Sequence, residues 1–331
     1  MEKVIAVVVT HNHYSDLITC IKAIRNQTHQ PDAILVVNNG STDFTSVWLD
    51  QQTDIIHLYQ DNLGSAGGFS NGISWAYQEG YDWIWCMDDQ GFPKNNALEN
   101  LINSQGMNTE LLSSIMVDKK DEKTILRKTK KYKTTDQIQE PFVQNGSYLF
   151  NGSLIHRNII SKVGLPLAHL FEQGAETEYY YRITKKYNFS AKTILNSEHY
   201  QSEVKSFFKN EWDLKSDYEV FYFLRNKLTV LKSKYGNVVI AFFAYLVFIF
   251  NFCVSILVNQ KTNKIRKLSF VFWPMKDALK NNRHLTPMSI SKKMQEQYSN
   301  HFSGIIFKPL RKFCCNIFVP SLKETSTPIT I

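Results

Sequence analysis

The stretch VIAVVVTHNHYSDLITCIKAIRNQTHQPDAILVVNNGSTD, residues 4–43, contains two short apolar runs separated by a segment with helical spacing. The two runs, residues 4–9 and 33–38, are rich in β-branched residues, as are strands buried on both faces of a parallel sheet. Between them, Ser15 is the expected N-cap of a helix whose apolar face is formed by Leu17, Ile18, Ile21 and Ile24. The stretch therefore predicts a strand–helix–strand unit of a layered α/β fold.

Two further apolar runs, IIHLYQ (55–60) and WIWCMD (83–88), extend this pattern along the chain. Polar residues follow each of the four predicted strands: Thr10-His11-Asn12, the NNGSTD segment 38–43, Asp61-Asn62 and Asp88-Asp89. Ligands of such sheets bind beyond the carboxyl ends of the strands, so the four loops predict one shared site. Two loops have simpler interpretations, NNGSTD as a turn and NLGSAGGFSNG (62–72) as a tightly packed helix start. Neither loop is a GxGxxG motif or a P-loop.

The adjacent carboxylates of Asp88 and Asp89 are the strongest chemical signal in the sequence. Two like charges at a strand end repel each other unless a cation or hydrogen-bond donors compensate them. Mg²⁺ and Mn²⁺ prefer oxygen ligands and often bridge a carboxylate to the phosphates of a substrate. A metal site is favoured here over a solvated turn.

Composition excludes several classes of protein. The chain has 331 residues, 43% hydrophobic and 21% charged, which is typical of a globular protein rather than a disordered one. The net charge of +8 is uneven, with 19 Lys and Arg against 6 Asp and Glu between residues 205 and 312. Five cysteines without metal or disulfide spacing favour a reducing compartment, and the N-terminus lacks the features of a signal peptide. Because the cations surround an apolar segment, nucleic acid is not an expected partner.

Taken in order, these motifs resemble the GT-A domain of inverting family 2 glycosyltransferases, in the branch of bacterial rhamnosyltransferases and galactofuranosyltransferases. The resemblance rests on TH-N, VVNNGSTD, DNLGSAGGFSNG and WIWCMDDQGFP, and continues through FNGSLIHRNIISKVGLP, FEQGAETEYYYR and YEVFYFLRNKLTVLKSKYG, covering about residues 3–236. It implies a Rossmann-like, mostly parallel sheet flanked by helices. The catalytic domain would span residues 1–205, with a nucleotide-sugar half at about 1–120 and an acceptor half at about 121–205.

The resemblance implies a set of donor-binding residues: Thr10, Asn12, Asn38, Asn62, Gly67, Asp88 and Asp89. Asn38 stands where the family usually has an aspartate that meets the nucleobase, and an amide oxygen still accepts from uracil or thymine N3–H. Asp88, Gln90 and His199 are the expected contacts of a divalent metal, Mn²⁺ or Mg²⁺. Gln90 replaces the third acid of the motif and offers a neutral oxygen. Without the resemblance, a surface turn is the simpler interpretation of His199.

The resemblance also implies a general base. The family pattern has two acids, a spacer and a third acid before an aromatic residue. Ala175 replaces the first acid here, so Glu176 is the expected base and Glu178 an expected acceptor or loop contact. Both acids would otherwise simply open a helix, where the helix dipole favours them.

The resemblance therefore implies an inverting hexosyltransferase that uses a single displacement. The donor would be a UDP- or dTDP-linked sugar such as galactofuranose or rhamnose, and the acceptor a saccharide or a lipid-linked saccharide of capsule or O-antigen type. The alternative is an inactive sugar-nucleotide-binding protein, which would explain Asn38, Gln90 and Ala175. A nucleotidyltransferase is disfavoured because no basic phosphate-gripping loop lies near the first strand.

The C-terminal region, residues 206–331, is predicted to be helical, with an apolar segment at 238–258 flanked by cations on both sides. Its length suffices to cross a bilayer. Symmetric basic flanks favour attachment to the membrane surface over a span, and a span over a buried core helix. The expected location is therefore the cytoplasm, at the inner face of the cell membrane.

Overall fold

A nine-stranded sheet organises the part of the chain described in this computed structural model. The described residues are 2–104, 111–126, 132–144, 149–202, 206–214, 216–280 and 286–299. Within them the strands are arranged in the order β3-β2-β1-β4-β8-β6-β9-β5, and β7 pairs with β9.

The first half of the sheet is parallel and consists of β1 (Val4–Thr10), β2 (Ala33–Asn39), β3 (Ile55–Gln60) and β4 (Trp83–Asp88). All seven residues of β1 are buried, as expected for a strand covered on both faces. The helices α1 (Tyr14–Arg25), α2 (Thr45–Leu49) and α3 (Gly64–Gln78) connect these strands. The predicted α/β fold is confirmed, and Trp83 and Trp85 are core residues.

The second half of the sheet is mixed. It contains β5 (Phe92–Pro93), β6 (Leu111–Asp118), β7 (Phe142–Gln144), β8 (Asn151–His156) and β9 (Ala191–Gln201). β8 runs antiparallel to β4 and β6, whereas β6 and β9 are parallel. The helices of this half are α4 (Ala97–Asn103), α5 (Arg157–Val163) and α6 (Ala175–Tyr181), which continues into a π-helical turn at Arg182–Lys186. Short 3₁₀ turns occur at Thr135–Gln137 and Ala168–Leu170.

Four helices follow the sheet: α7 (Glu219–Tyr235), α8 (Val238–Asn259), α9 (Lys264–Lys280) and α10 (Pro287–Ser299). They share an aromatic-rich core of their own, and α7 also packs against α6. Among the described helices, α8 is the one that is long and apolar enough to cross a membrane by length and composition. The predicted apolar helix is therefore present.

The start of α1 differs from the prediction. The helix begins at Tyr14 rather than after Ser15, and the Tyr14 backbone N–H donates to the Asp43 carboxylate at 3.1 Å. Capping by Ser15 is thus wrong, because a carboxylate from the loop after β2 satisfies the first turn of the helix. This contact also ties the loops after β1 and β2 together.

Close packing explains the small residues of α3. A Cβ atom on Gly68 would lie 2.4 Å from a Val9 methyl group, and one on Gly72 would lie 2.6 Å from a Val7 methyl group. Only glycine lets the helix approach β1 this closely. The GSAGGFSNG segment therefore has a packing role, and it places the first turn of α3 beside the end of β1.

Candidate active site

The polar ends of the parallel strands meet at one edge of the sheet, as the sequence predicts. Thr10 lies opposite Asn38 in the ladder between β1 and β2, and Val9 lies opposite Asp88 in the ladder between β1 and β4. Asn39 lies opposite Gln60 at the end of β3. Predicted donor-binding residues from four different loops are therefore neighbours.

Asn38 and Asn12 organise the loop after β2. The Asn38 side chain is 1% exposed, donates to Ser46 Oγ at 2.8 Å and accepts from the Ser41 N–H at 3.0 Å. Asn12 has φ 58°, and its side-chain oxygen accepts from the Thr42 N–H at 2.7 Å. Both amides shape the loop, so a nucleobase contact from the Asn38 side chain would compete with these bonds.

A histidine that the sequence did not single out connects three of the loops. His11 Nδ1 lies 2.9 Å from the carbonyl oxygen of Asn39, which makes Nδ1 the protonated nitrogen. His11 Nε2 then accepts from the Asn62 amide at 3.1 Å and from the Asn12 amide at 3.3 Å. Asn62 also accepts from the Gly64 N–H at 2.9 Å, so it links this network to the start of α3.

Asp88 is half-buried and surrounded by hydrogen-bond donors. Its Oδ1 accepts from the Gln90 N–H and the Gly91 N–H, each at 3.1 Å, and Gln201 Nε2 lies 3.0 Å from both carboxylate oxygens. Burial, with a second contribution from the neighbouring charge of Asp89, raises the pKa of Asp88 to about 7. The donors therefore compensate the charge only in part, and a cation would stabilise the ionised form.

Asp89 and Gln90 both contact His13, a second histidine that the sequence did not single out. Asp89 is 4% exposed and lies 3.4 Å from His13 Nδ1, and the hydrogen bond between them raises the pKa of His13. The Gln90 side-chain nitrogen lies 2.8 Å from His13 Nε2. Gln90 thus bonds to an imidazole at the position where the family motif has an acid.

His199 lies near the end of β9 and is fully buried, so the surface-turn interpretation is wrong. It lies beneath Gly91, where an added Cβ would be 2.4 Å from His199 Nε2. Burial lowers the pKa of His199 to about 3, and neither ring nitrogen has a hydrogen-bond partner among the described residues. The neutral imidazole is chemically suited to a metal, but coordination would require Gly91 to move.

The donor set at this edge fits a divalent cation in its chemistry, although a complete cage is not formed. The carboxylates of Asp88 and Asp89 are hard oxygen donors, and burial together with the charge of Asp89 raises the pKa of Asp88. Across the described residues, no group of three or more His, Cys, Asp and Glu side chains is arranged to hold a metal ion. A cation bound here would need ligands from its substrate.

Glu176 lies in the first turn of α6, which contacts the start of α3. The carbonyl oxygen of Phe171 accepts from the Ala66 N–H at 3.0 Å, and Ala66 and Ala175 belong to one buried apolar cluster. Gly67, a predicted donor-binding residue, follows Ala66 directly. Ala175 therefore replaces an acid at a position that is buried in apolar surroundings.

Glu178 points away from this contact. It is 1% exposed and forms an ion pair with Arg182, with Arg182 Nε at 3.0 Å, and it also accepts from Ser233 Oγ at 2.8 Å. An acceptor contact by Glu178 would require this buried pair to open. The observed contacts join α6 to α7.

Two buried residues of α7 hold the loop that precedes Glu176. Asn226 donates to the carbonyl oxygens of Leu170 at 2.7 Å and Gln173 at 2.6 Å. Arg225 donates to the carbonyl oxygen of His169 at 2.9 Å. The sequence signal that could have found them is an Arg-Asn pair inside the apolar segment VFYFLRNKL, where unpaired polar groups are costly.

Comparison with known proteins supports the interpretation of this edge. Residues 5–164 match the sequence model of glycosyl transferase family 2, and that range includes the loops after β1, β2, β3 and β4. Residues 5–164 of the chain belong to this family. Membership confirms the resemblance on which the site residues were assigned, while the individual residue roles stay predictions.

Relatives within family 2 extend the match beyond residue 164. Galactofuranosyltransferase GlfT1 of Mycolicibacterium smegmatis is 31% identical over 199 residues, which cover 56% of this chain and 66% of that protein. The protein of the same name from Mycobacterium tuberculosis H37Rv is 30% identical over 199 residues, covering 56% of this chain and 65% of its own length. Glycosyltransferase GlyG of Streptococcus pneumoniae is 34% identical over 107 residues, covering 30% of this chain and 35% of that protein. The chain thus spans just under two thirds of the galactofuranosyltransferases it matches.

Proposed function

We propose that this family 2 chain transfers a sugar of the galactofuranose or rhamnose type from a nucleotide-diphosphate donor to a saccharide or lipid-linked acceptor. The reaction would serve the synthesis of a cell-surface polysaccharide. The observation that carries the proposal is the meeting of Asp88 and Asp89 with the polar ends of three parallel strands. Similarity to two galactofuranosyltransferases supports this sugar class.

The donor would lie across the ends of β1, β2 and β4. Thr10, Asn12 and Asn38 surround the proposed nucleoside position, and Asn62 and Gly67 border it from the side of α3. His11 keeps these loops in register through its bonds to Asn39, Asn62 and Asn12. Preorganised loops lower the entropy cost of binding the donor.

Asp88, Asp89 and Gln90 would hold Mn²⁺ or Mg²⁺ together with the donor diphosphate, and His199 is a further ligand if Gly91 moves. When bound, such an ion stabilises negative charge that develops on the leaving diphosphate. Gln201 holds the Asp88 carboxylate in place through Nε2, and the backbone N–H groups of Gln90 and Gly91 add to that support.

Glu176 is the proposed general base. The carboxylate would accept a proton from an acceptor hydroxyl, whose oxygen attacks the anomeric carbon from the face opposite the leaving group. One displacement of this kind inverts the anomeric configuration. Contacts from α3 and α7 fix the backbone just before Glu176. These contacts would hold the proposed base in a defined position.

The experiment that tests this function is mass spectrometry of products formed from UDP-galactofuranose, dTDP-rhamnose and related donors with lipid-linked bacterial saccharides. We expect one donor to extend one acceptor by a single sugar, with inversion detected by NMR of the product. An inactive sugar-nucleotide-binding protein would bind a donor in calorimetry but yield no product and no free nucleotide. That result would refute transferase activity while leaving the donor site intact.

A further inference from the structure

The outward face of α8 is as apolar as its buried face. The exposed positions include Ile240, Phe243, Val247, Phe250, Val254 and Val258, and Phe250 is 67% exposed. All of α8 lies in the described part of the chain, and between Val239 and Val258 its single exposed polar side chain is Asn251. A helix on the surface of a soluble domain normally turns polar residues outward.

The size of this face points to a partner. Residues 239–258 rise by about 28 Å along the helix axis, so the apolar stripe extends the length of the helix. Soluble monomers rarely expose a continuous apolar patch larger than a few hundred Å² unless it binds something.

The inner face of α8 is attached to the rest of the protein along its whole length. Tyr245 donates to the carbonyl oxygen of Leu224 in α7 at 3.1 Å, and Ser255 donates to the carbonyl oxygen of Phe208 at 2.6 Å. If α8 crossed a bilayer, these contacts would break, or α7 would enter the hydrocarbon with its cations. Only the outward face is therefore available to lipid.

The positive charges around α8 favour an anionic lipid surface as the partner of this apolar face. Residues 220–276 contain nine Lys and Arg and no Asp or Glu, and all but the buried Arg225 and Lys267 are at least partly exposed. Lys232 and Lys234 are exposed before α8, and Lys261 is exposed after it. Basic side chains at both ends of an apolar helix favour anionic headgroups. A second copy packed on the same face would place like charges close together.

We infer that α8 lies in the plane of an anionic membrane surface, with the face from Ile240 to Val258 among the outer acyl chains. The inference is independent of the proposed donor and acceptor. It places α7 directly above the membrane, and α7 in turn holds the loop before Glu176.

The first test measures binding of the full chain to vesicles of phosphatidylcholine alone or with roughly one-third phosphatidylglycerol. We expect binding to the anionic vesicles, and Val247→Asp should weaken it about tenfold or more. Val47→Asp is the matched control, because Val47 is 58% exposed and Val247 is 59% exposed. Equal vesicle binding by Val247→Asp and the wild type would overturn the inference.

The second test distinguishes lying flat from crossing. A fluorophore is attached to one introduced cysteine at a time, at position 240, 247 or 254, after Cys253, Cys314 and Cys315 are replaced by alanine. Cys20 and Cys86 are buried in the sheet domain and are left in place. Quenching by lipids labelled at known depths should give one shallow depth for all three positions. A crossing helix would instead place position 247 about 10 Å deeper than the others. That depth profile would overturn the inference. So would a protein that binds no vesicles and instead forms dimers that Val247→Asp dissociates.

Discussion

The loop that precedes Glu176 depends on Asn226, so we expect Asn226→Ala to impair both stability and turnover. The substitution removes hydrogen bonds of 2.7 and 2.6 Å to the carbonyl oxygens of Leu170 and Gln173. A buried acceptor left without a donor costs about 1–3 kcal/mol. The Leu170 carbonyl oxygen keeps the Glu172 N–H at 2.8 Å, and Gln173 is half-buried, so we expect a loss of about 1–2 kcal/mol.

Turnover should fall by more than the loss of stability explains. A displacement of about 1 Å at a catalytic group can cost roughly 100-fold in rate. We expect kcat for nucleotide release from the active donor to drop at least tenfold under conditions where the variant is fully folded. The KM for the donor should change little, because Asn226 does not border the proposed nucleotide site.

Asn237→Ala provides the matched control in the same helical region. The Asn237 side chain caps α8 by accepting from the Val239 N–H at 2.9 Å and the Ile240 N–H at 3.1 Å. Loss of such a cap costs about 1 kcal/mol. We expect lower stability in chemical denaturation and unchanged kcat. If Asn226→Ala retains wild-type kcat, or if both variants lose it equally, the loop does not position the base.

The remaining predictions concern the acids and the metal. Glu176→Gln should abolish turnover while donor binding survives, whereas Glu178→Gln should chiefly cost stability, about 3 kcal/mol, by leaving Arg182 without its partner. Asp88→Ala should lower turnover at least 100-fold, or about 2.7 kcal/mol of barrier, and excess chelator should do the same. Gln90→Asp should tighten Mn²⁺ binding in calorimetric titration without donor, because it adds a negative charge. Burial beside Glu219 raises the pKa of Glu172 to about 7, above its unfolded value of 4.5. The folded protein therefore loses stability as pH rises through this interval, and Glu172→Gln should flatten that loss in denaturation curves.

Each of these expectations has a result that would contradict it. An active Glu176→Gln with an inactive but folded Glu178→Gln would exchange the two roles. Full activity in excess chelator would show that the reaction does not need a divalent metal. Unchanged or weaker Mn²⁺ binding in Gln90→Asp would mean that this side chain does not face the cation. If stability depends on pH in the same way in Glu172→Gln and in the wild type, the pKa of the Glu172 carboxyl group is not raised by folding.

Most of the parallel half of the sheet could be predicted from sequence because β1, β2 and β4 are covered on both faces. Such strands are continuous β-branched runs, and the polar residue that ends each run marks the edge of the sheet. The predicted strands 4–9, 33–38 and 55–60 therefore agree with the observed bounds to within one residue. The shared site at their ends followed from topology alone.

Side chains whose partners come from distant segments could not be placed in this way. Gln201 supports Asp88 across 113 residues of sequence, and no local pattern links the two. Sequence alone favours a surface turn for His199, yet its strand is buried within the mixed half of the sheet. Residues 199 and 201 are two positions apart and therefore lie on the same face of a strand. This spacing is the sequence signal that places both side chains on one side of the sheet.

The hydrogen bonds from Asn226 have a practical consequence for anyone preparing a soluble fragment. A fragment cut at residue 205, where composition suggests a boundary, would lose the hydrogen bonds that Asn226 donates to the carbonyl oxygens of Leu170 and Gln173. Extending it through α7 restores the donor but uncovers the surface on which Tyr245 and Phe252 pack. Truncation thus exchanges one defect for another, and detergent or lipid around the intact chain is the better route to an active preparation.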